Sequence, residues 1–376
     1  RNRKHRTRDA RTGDNGIRSL LSSVTETGRH ETGATVTLPS TQFTYQRSSD
    51  TWIEDTNYST STMPAFIDNI SDNGARIADI NDDALADILH MEATGAVKKA
   101  FINDGDGTGW TEDTGYDFSN ISYYIVDGSG SDDGVRVFDI NGDTFADIFR
   151  NRESRNNDHL YLNEGDTTGW TEDTRYSTST IPDFISQNGF DTGVRIFDIN
   201  GDGLVDLMRM HSSGSIKHVY INNGNGTGWT EDTGYDLTNL PYFVNSSGGD
   251  DGMRIADING DGLADLMRLY SGGGSSNGVF INDGDSTGWT KNTSYDLSNV
   301  SSFVDGSGND DGLRLMDLNA DGLADLIRIR QDADNNRVWI NDGDGTGWTE
   351  DTNYATSTLP YFISINGYDS GVRIID

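Results

Sequence analysis

The chain has 376 residues, a formal net charge of −33 and a pI near 4.2. Such acidity makes nucleic acid and anionic membrane surfaces poor partners. Cysteine is absent, excluding disulfides and thiolate zinc sites, and no apolar run approaches the roughly 20 residues of a membrane span.

Residues 1–18 carry Arg1, Arg3, Lys4, Arg6, Arg8, Arg11 and Arg18 among few apolar residues. They read as a basic, solvated linker or a cropped segment, with a basic arm for nucleic acid as the alternative. The chain starts on Arg1 without an initiator methionine or an apolar signal region, and it ends on Asp376, the first letter of a repeated motif. Both suggest a piece cut from something longer. Residues 19–42 are richer in Ser and Thr and end at Leu38-Pro39, like the tail of a preceding β-rich region.

From Phe43 to Asp376 the chain repeats. Each complete unit opens with an alternating run, as in Gly193 to Asp198, whose period of two marks a strand. A polar loop follows, then a second short run, Leu204 to Met210, and a variable Gly/Ser/Asn link. A third strand, as at His218 to Ile221, leads to a turn such as Asn282 to Gly288, rich in residues that accept positive φ. A fourth strand is expected between Trp289 and Tyr295. No segment shows helical periodicity. Four short strands per unit predict an all-β fold, a β-propeller blade packed face to face with its neighbours. An open β-solenoid is the alternative, but its coils are shorter than these hairpin-like units.

The polar loop carries the chemistry. In Asp198-Ile-Asn-Gly-Asp-Gly-Leu-Val-Asp206, oxygen ligands stand at alternate positions and Gly203 permits the sharp turn. Asp198, Asn200, Asp202, the Leu204 carbonyl and Asp206 match what a hard cation wants, and calcium fits better than magnesium. A single copy could be a polar, glycine-rich turn. The pattern restarts, however, at Asp79, Asp139, Asp257 and Asp317, at intervals of 59 or 60 residues. The further candidate sets are Asp79, Asn81, Asp83, Leu85 and Asp87; Asp139, Asn141, Asp143, Phe145 and Asp147; Asp257, Asn259, Asp261, Leu263 and Asp265; and Asp317, Asn319, Asp321, Leu323 and Asp325. The first loop has Asp82 and Ala84 in its glycine places, the second has Thr144 and the last has Ala320. Residues with a Cβ resist φ > 0, so the loops at Asp79 and Asp139 are expected to bind more weakly.

Aromatics repeat as well. Trp52, Trp110, Trp170, Trp229, Trp289 and Trp348 are each followed six residues later by Tyr58, Tyr116, Tyr176, Tyr235, Tyr295 and Tyr354. Phe66, Tyr124, Phe184, Phe243, Phe303 and Phe362 complete the set. Packing between blades is favoured over stacking on a sugar, because aromatics dominate core burial. Arg76, Arg136, Arg195, Arg254, Arg314 and Arg373 lie three residues before a loop's first Asp. Arg150, Arg209, Arg268 and Arg328, with His90 in the first unit, lie three after a loop's last. Ion pairing accounts for both sets; a guanidinium ring for an acidic ligand is the alternative.

With Asp-x-Asn-Gly-Asp-Gly-Leu-x-Asp-Leu on a unit of this length, residues 43–376 resemble the FG-GAP/VCBS repeat family, which includes the calcium-binding propeller of integrin α subunits. The Phe-Gly and Gly-Ala-Pro letters are missing, and Gly-Trp-Thr-Glu-Asp-Thr is used instead. The segments Arg18 to Thr27 and Leu38 to Tyr45 look like the approach to the propeller of SpvB/TcB/Rhs-type bacterial toxins. The resemblance implies a calcium-binding, non-catalytic interaction scaffold of a secreted or cell-surface protein, in contact with a protein partner or with further domains of a longer chain. A carbohydrate-binding propeller is the second expectation and a glycan-active enzyme the third. The unit count predicts five complete blades with partial blades at both ends, six or more in the intact protein, arranged as an arc or a loosely closed ring.

Overall fold

The computed structural model describes the strands at 3–8, 21–29, 35–37 and 41–42. It also describes residues 55–58, 63–68, 71–152, 158–166, 168–176, 185–331, 336–352, 354 and 363–374. In the third unit, Val194–Phe197, Asp206–His211, Ile216–Asn222 and Trp229–Glu231 pair in sequence order as one antiparallel sheet. The same order recurs in the units opening at Ala75, Val135, Met253 and Leu313, giving five four-stranded blades in a ring. Boundaries shift slightly from expectation. The second strand begins at Asp206 because Leu204 and Val205 stay in the loop, and the fourth ends by Asn292 in the unit of Trp289.

Neighbouring blades cover both faces of each second strand. Leu207 and Met208 point to opposite sides of their strand, yet they are only 2% and 0% exposed. Each core cluster therefore mixes two units, as where Met208, Met210 and Val219 meet Met253, Leu266 and Trp289. The aromatic repeat lies in the same seams. Tyr58, Tyr116, Tyr176, Tyr235 and Tyr295 each pack on the next unit's tryptophan, with ring centroids 5.3–5.6 Å apart. Trp52, Phe184 and Phe362 lie outside the described residues.

The first arginine set lines the inner strands as ion pairs. Arg76, Arg136, Arg195, Arg254 and Arg314 each grip the aspartate four residues earlier through both terminal nitrogens, as in Arg195 to Asp191 at 3.0 and 2.9 Å. Arg373 meets Asp369 at 2.9 Å. Burial pushes the Asp191 carboxyl up, but Arg195 and, farther off, Arg136 of the preceding unit bring it below its ordinary range. Arg254 and Arg195 do the same for Asp250, and Arg76 and Arg373 for Asp72. The last relation joins the two ends of the array. There the Arg373 guanidinium lies 5.1 Å from the centre of the Phe66 ring, and Gly371 packs beside Ile67. The ring thus closes through side chains on six inner segments.

Gly371 to Asp376, expected to supply a first strand, has no ladder partner among the described residues; Val372 and Ile374 pack against Ile329 and Ile363 instead. The partial blade expected from Phe43 onward lies almost wholly outside the described residues. At the N-terminus, Arg3–Arg8 pairs antiparallel with Leu21–Arg29, which also pairs with Thr35–Thr37 and Thr41–Gln42. The segment read as a basic linker thus contains a strand.

One buried amide latches each pair of blades. Asn222 Nδ2 donates across the seam to Ile140 O at 3.0 Å and within its unit to Val205 O at 3.2 Å. Asn163, Asn282 and Asn341 reach Ile80, Ile199 and Ile258 in the same way. Asn222→Ala leaves buried carbonyls without their donor. It should lower unfolding free energy by about 1–3 kcal/mol, measured by urea denaturation.

Candidate metal centre

Each loop is a short excursion between the first and second strands of a blade, and its backbone hydrogen-bonds to its own carboxylates. Asp198 Oδ1 accepts the Gly201 N–H at 2.7 Å and Oδ2 accepts the Gly203 N–H at 2.8 Å. Asn200 Oδ1 accepts from Asp202 N at 2.9 Å, and Asp202 Oδ1 from Leu204 N at 2.8 Å. This winding needs positive φ at the fourth and sixth positions, here Gly201 at 79° and Gly203 at 85°. The loops lacking glycine adopt it nonetheless: Asp82, Ala84, Thr144 and Ala320 have φ of 61°, 63°, 80° and 58°. The hydrogen bonds therefore hold strained residues in place; the strain expected in the loops at Asp79 and Asp139 is present, and Ala320 adds it in the loop at Asp317, where none was expected.

The ninth residue behaves differently from the other four. Asp87, Asp147, Asp206, Asp265 and Asp325 are all 0% exposed. Asp206 Oδ2 accepts the Ile199 N–H at 3.0 Å, pinning the loop's second residue, and Oδ1 accepts the Asn222 N–H at 2.7 Å, pinning the third strand. The other four repeat both contacts. Desolvation pushes these carboxyls up, to about 6 for Asp87, about 8 for Asp147 and about 7 for Asp206, Asp265 and Asp325. The two amides of each site oppose the rise, and the loop's first and fifth carboxylates add to it. Among the described residues, none of these carboxyls forms an ion pair with a cationic side chain.

The seventh residues contribute packing as well as a carbonyl. Leu85, Phe145, Leu204, Leu263 and Leu323 lie against Gly105, Gly165, Gly224, Gly284 and Gly343 in the later turn of their own units. Leu204 and Leu263 also touch Gly142 and Gly201 in the loop of the preceding blade. A Cβ on Gly142 would come within 2.9 Å of Leu204, so neighbouring loops are in contact.

The donor chemistry fits a hard divalent cation. Every candidate ligand is oxygen, and a carboxylate oxygen that accepts one amide keeps a second lone pair. Asp198, Asn200, Asp202, the Leu204 carbonyl and Asp206 would hold it, with the equivalent residues in the other loops. It would supply the positive charge that the buried aspartate lacks. Among the described residues, however, no three acidic or imidazole groups converge into a tight cluster. In each loop the asparagine's Nδ2 instead donates to the fifth residue's Oδ2, as from Asn200 to Asp202 at 3.0 Å.

The sequence reading missed the supports. Asn103, Asn163, Asn222, Asn282 and Asn341 carry the third-strand N–H that meets the buried aspartate. Trp110, Trp170, Trp229, Trp289 and Trp348 donate Nε1–H to the carbonyl of the loop's eighth residue at 2.7–3.0 Å. Both recur at fixed spacing, so periodicity could have found them; the asparagine read only as a turn former. The second arginine set is structural. Arg150, Arg268 and Arg328 pair with Asp133, Asp251 and Asp311. Arg209 and His90 instead meet the carbonyls of Thr192 and Asn73.

Residues 139–209 and 198–268 match the model of the FG-GAP-like repeat, so these units carry FG-GAP-like repeats. A T-cell immunomodulatory protein homolog of Plasmodium yoelii yoelii is 26% identical over 220 residues, covering 51% of this chain and 29% of its own length. Among solved structures, the chain is similar to the Tc holotoxin pore of Photorhabdus luminescens. The TM-score is 0.50 at 19% identity, covering 89% of this chain and 14% of that one. The biofilm matrix protein Bap1 of V. cholerae matches with a TM-score of 0.30 at 13% identity, covering 81% of this chain and 42% of that one. This chain thus spans less than a third of the curated relative and a smaller share of the toxin chain.

The buried carboxyls set a direction for pH dependence. A carboxyl raised in the fold binds its proton more tightly there than in the unfolded chain. Its contribution is fully present below about pH 4 and lost as pH rises through 6 to 8. In chelator the melting temperature should therefore fall across that window. Calcium should flatten the slope by replacing the protons. Equal slopes with and without calcium would contradict the fit.

Proposed function

We propose that this chain is a calcium-binding, non-catalytic propeller that serves as an interaction scaffold of an exported or cell-surface protein. The observation that carries the reading is the aspartate at 0% exposure in every complete blade, with two further loop carboxylates raising it and no ion pair to it among the described residues. Keeping one such carboxyl ionised in the fold costs on the order of 4 kcal/mol. A cation at each loop removes that conflict at neutral pH.

The same burial supports a non-catalytic role. The carboxyls raised toward neutrality, which would otherwise suggest acid–base work, have both oxygens on backbone amides and no exposed surface. The toxin named by the structural neighbour, a pore assembly in which a propeller is a small part of a long chain, is one setting for such a role. No helix among the described residues is long and apolar enough to cross a membrane, and millimolar extracellular calcium suits modules of weak affinity. A carbohydrate-binding reading would rest on Phe190 and Tyr368, exposed aromatics at hairpin tips, because Trp170, Trp229, Trp289 and Trp348 are buried.

Calorimetric titration tests the proposal. Five calcium ions should bind, with dissociation constants of roughly 10⁻⁴ to 10⁻³ M, the loops at Asp79 and Asp139 more weakly than the rest. At about ten times the dissociation constant, each site adds roughly 1.4 kcal/mol. Asp202→Ala should reduce the count to four. No heat and no calcium-linked rise in melting temperature would refute the reading.

A further inference from the structure

Two lysines in this chain are held in an unusual way. Lys217 Nζ donates to three backbone carbonyls of one turn, Leu237 O at 2.7 Å, Thr238 O at 3.2 Å and Leu240 O at 2.6 Å, and lies 4.8 Å from the centre of the Tyr242 ring. In the first complete unit Lys98 repeats part of the arrangement, donating to one carbonyl, Ile121 O, with its Nζ 4.4 Å from the centre of the Tyr124 ring. Three carbonyls match the three N–H donors of an ammonium, and a ring face supplies the remaining wall. The lysine is a plug in a cup formed by the turn that enters the next blade.

The unit opening at Met253 has the cup without the plug. Its turn closes in the same way: Val300 N–H donates to Leu297 O at 3.3 Å, as Leu240 does to Leu237 at 3.2 Å. Its entry is also fixed alike, with Ser298 N–H on Asp296 Oδ1 and Thr238 N–H on Asp236 Oδ1, both at 2.9 Å. The exit agrees too, since Phe243 N–H meets Met210 O and Phe303 N–H meets Leu269 O, both at 3.0 Å. Lys217 stands opposite Met210 in the ladder; in this unit the ladder ends at Arg268 opposite Gly278, and Leu269 and Asn277 are the next residues in register. Counting back from the exit bond, the place of Tyr242 is taken by Ser302.

Asn277 does not fill the space. Its side chain turns back onto its own link, with Oδ1 accepting from Tyr270 N and Arg268 Nη1 and Nδ2 donating to Tyr270 O, at 3.0, 3.2 and 3.0 Å. The unit's nearby Lys291 is engaged elsewhere, by the carbonyls of Ser275 and Asn277. Replacing a lysine and a tyrosine by two short side chains leaves an open cavity of about 300 Å³, lined by Leu269, Asn277, Leu297, Val300, Ser301 and Ser302. The corresponding turns after the units opening at Val135 and Leu313 lie largely outside the described residues.

We propose that this cavity binds a primary ammonium on a short unbranched alkyl chain, taking the place that Lys217 fills in the preceding unit. The carbonyls of Leu297 and Val300 receive its protons, and Leu269 and Leu297 line the path of the alkyl chain. Asp296 corresponds to Asp236, which favours the charge of the Lys217 ammonium against its burial. The ligand is either a free alkylamine or a lysine side chain of another protein. Both present the same head group.

The test uses the full chain in calcium and 0.15 M salt, where the diffuse field of the acidic surface is screened beyond about 8 Å. Methyl NMR follows Leu269, Leu297 and Val300 during titration with n-pentylammonium, with an acetyl-lysine amide and with tetramethylammonium. The first two should give saturable, site-confined shifts, the tighter one identifying the natural source. Tetramethylammonium, which has no N–H, should give none. Asn277→Lys supplies the plug internally and should weaken pentylammonium at least tenfold while leaving the far-ultraviolet spectrum unchanged. The reverse double change, Lys217→Asn with Tyr242→Ser, should add a second site. Unaltered affinity in Asn277→Lys, or equal shifts with tetramethylammonium, would overturn the proposal. If the double variant fails to fold, the Asn277→Lys comparison decides alone.

Discussion

Each complete blade buries one carboxylate entirely, and the geometry around it follows from that. The ninth residue of the loop must lie inside because it ties two otherwise separate pieces of backbone, the loop's second amide and an amide of the third strand. A neutral side chain could accept those bonds more weakly; an aspartate accepts both with charge-assisted strength. The cost is an acid held far above its ordinary range by desolvation. Either a proton or a cation must answer it, and under the proposed function a cation held by the loop's other oxygens takes that role near neutral pH.

From that point the constraints spread through the ring. The asparagine whose amide meets the buried aspartate also reaches across to the carbonyl of the preceding loop. The tryptophan opening the fourth strand holds the loop's eighth carbonyl while its face receives the tyrosine of the previous blade. The seventh side chain leans on glycines of its own later turn and of the preceding loop. Loop order in one blade is thus coupled to packing in the next. On the inner side, aspartates and arginines alternate between units until Arg373 meets Phe66 and acts on Asp72. Ring closure here depends on a few side chains rather than on a shared sheet among the described residues.

Much of this was legible because it repeats. The alternating run before Asp198 and the spacing of the loops specify strands, blades and candidate ligands without reference to any fold. The inward direction of Asp206 was not legible. Spacing alone makes it the equal of Asp198 and Asp202, and only the packed blade shows that it is buried while they remain at the surface. The support by Asn222 and the tryptophan indole joins residues 16 to 24 positions apart, beyond what local turn chemistry reveals. The strand at Arg3–Arg8 was obscured by charge, since a run of basic residues suppresses the apolar alternation on which strand recognition rests. The empty cup beside Asn277 was hidden for the opposite reason. It is a departure from the repeat, and reading for periodicity averages departures away.

Crystals grown in calcium and measured for anomalous scattering would test the central claim most directly. The account predicts one peak in each of the five loops, bounded by the first, third and fifth side chains and the seventh carbonyl, with the buried aspartate as a further ligand. The amide bonds from Ile199 and Asn222 to Asp206 should persist beside it. Loops that stay free of anomalous density at millimolar calcium, with Asn200 still donating to Asp202, would contradict the account. The buried aspartates would then be protonated structural groups.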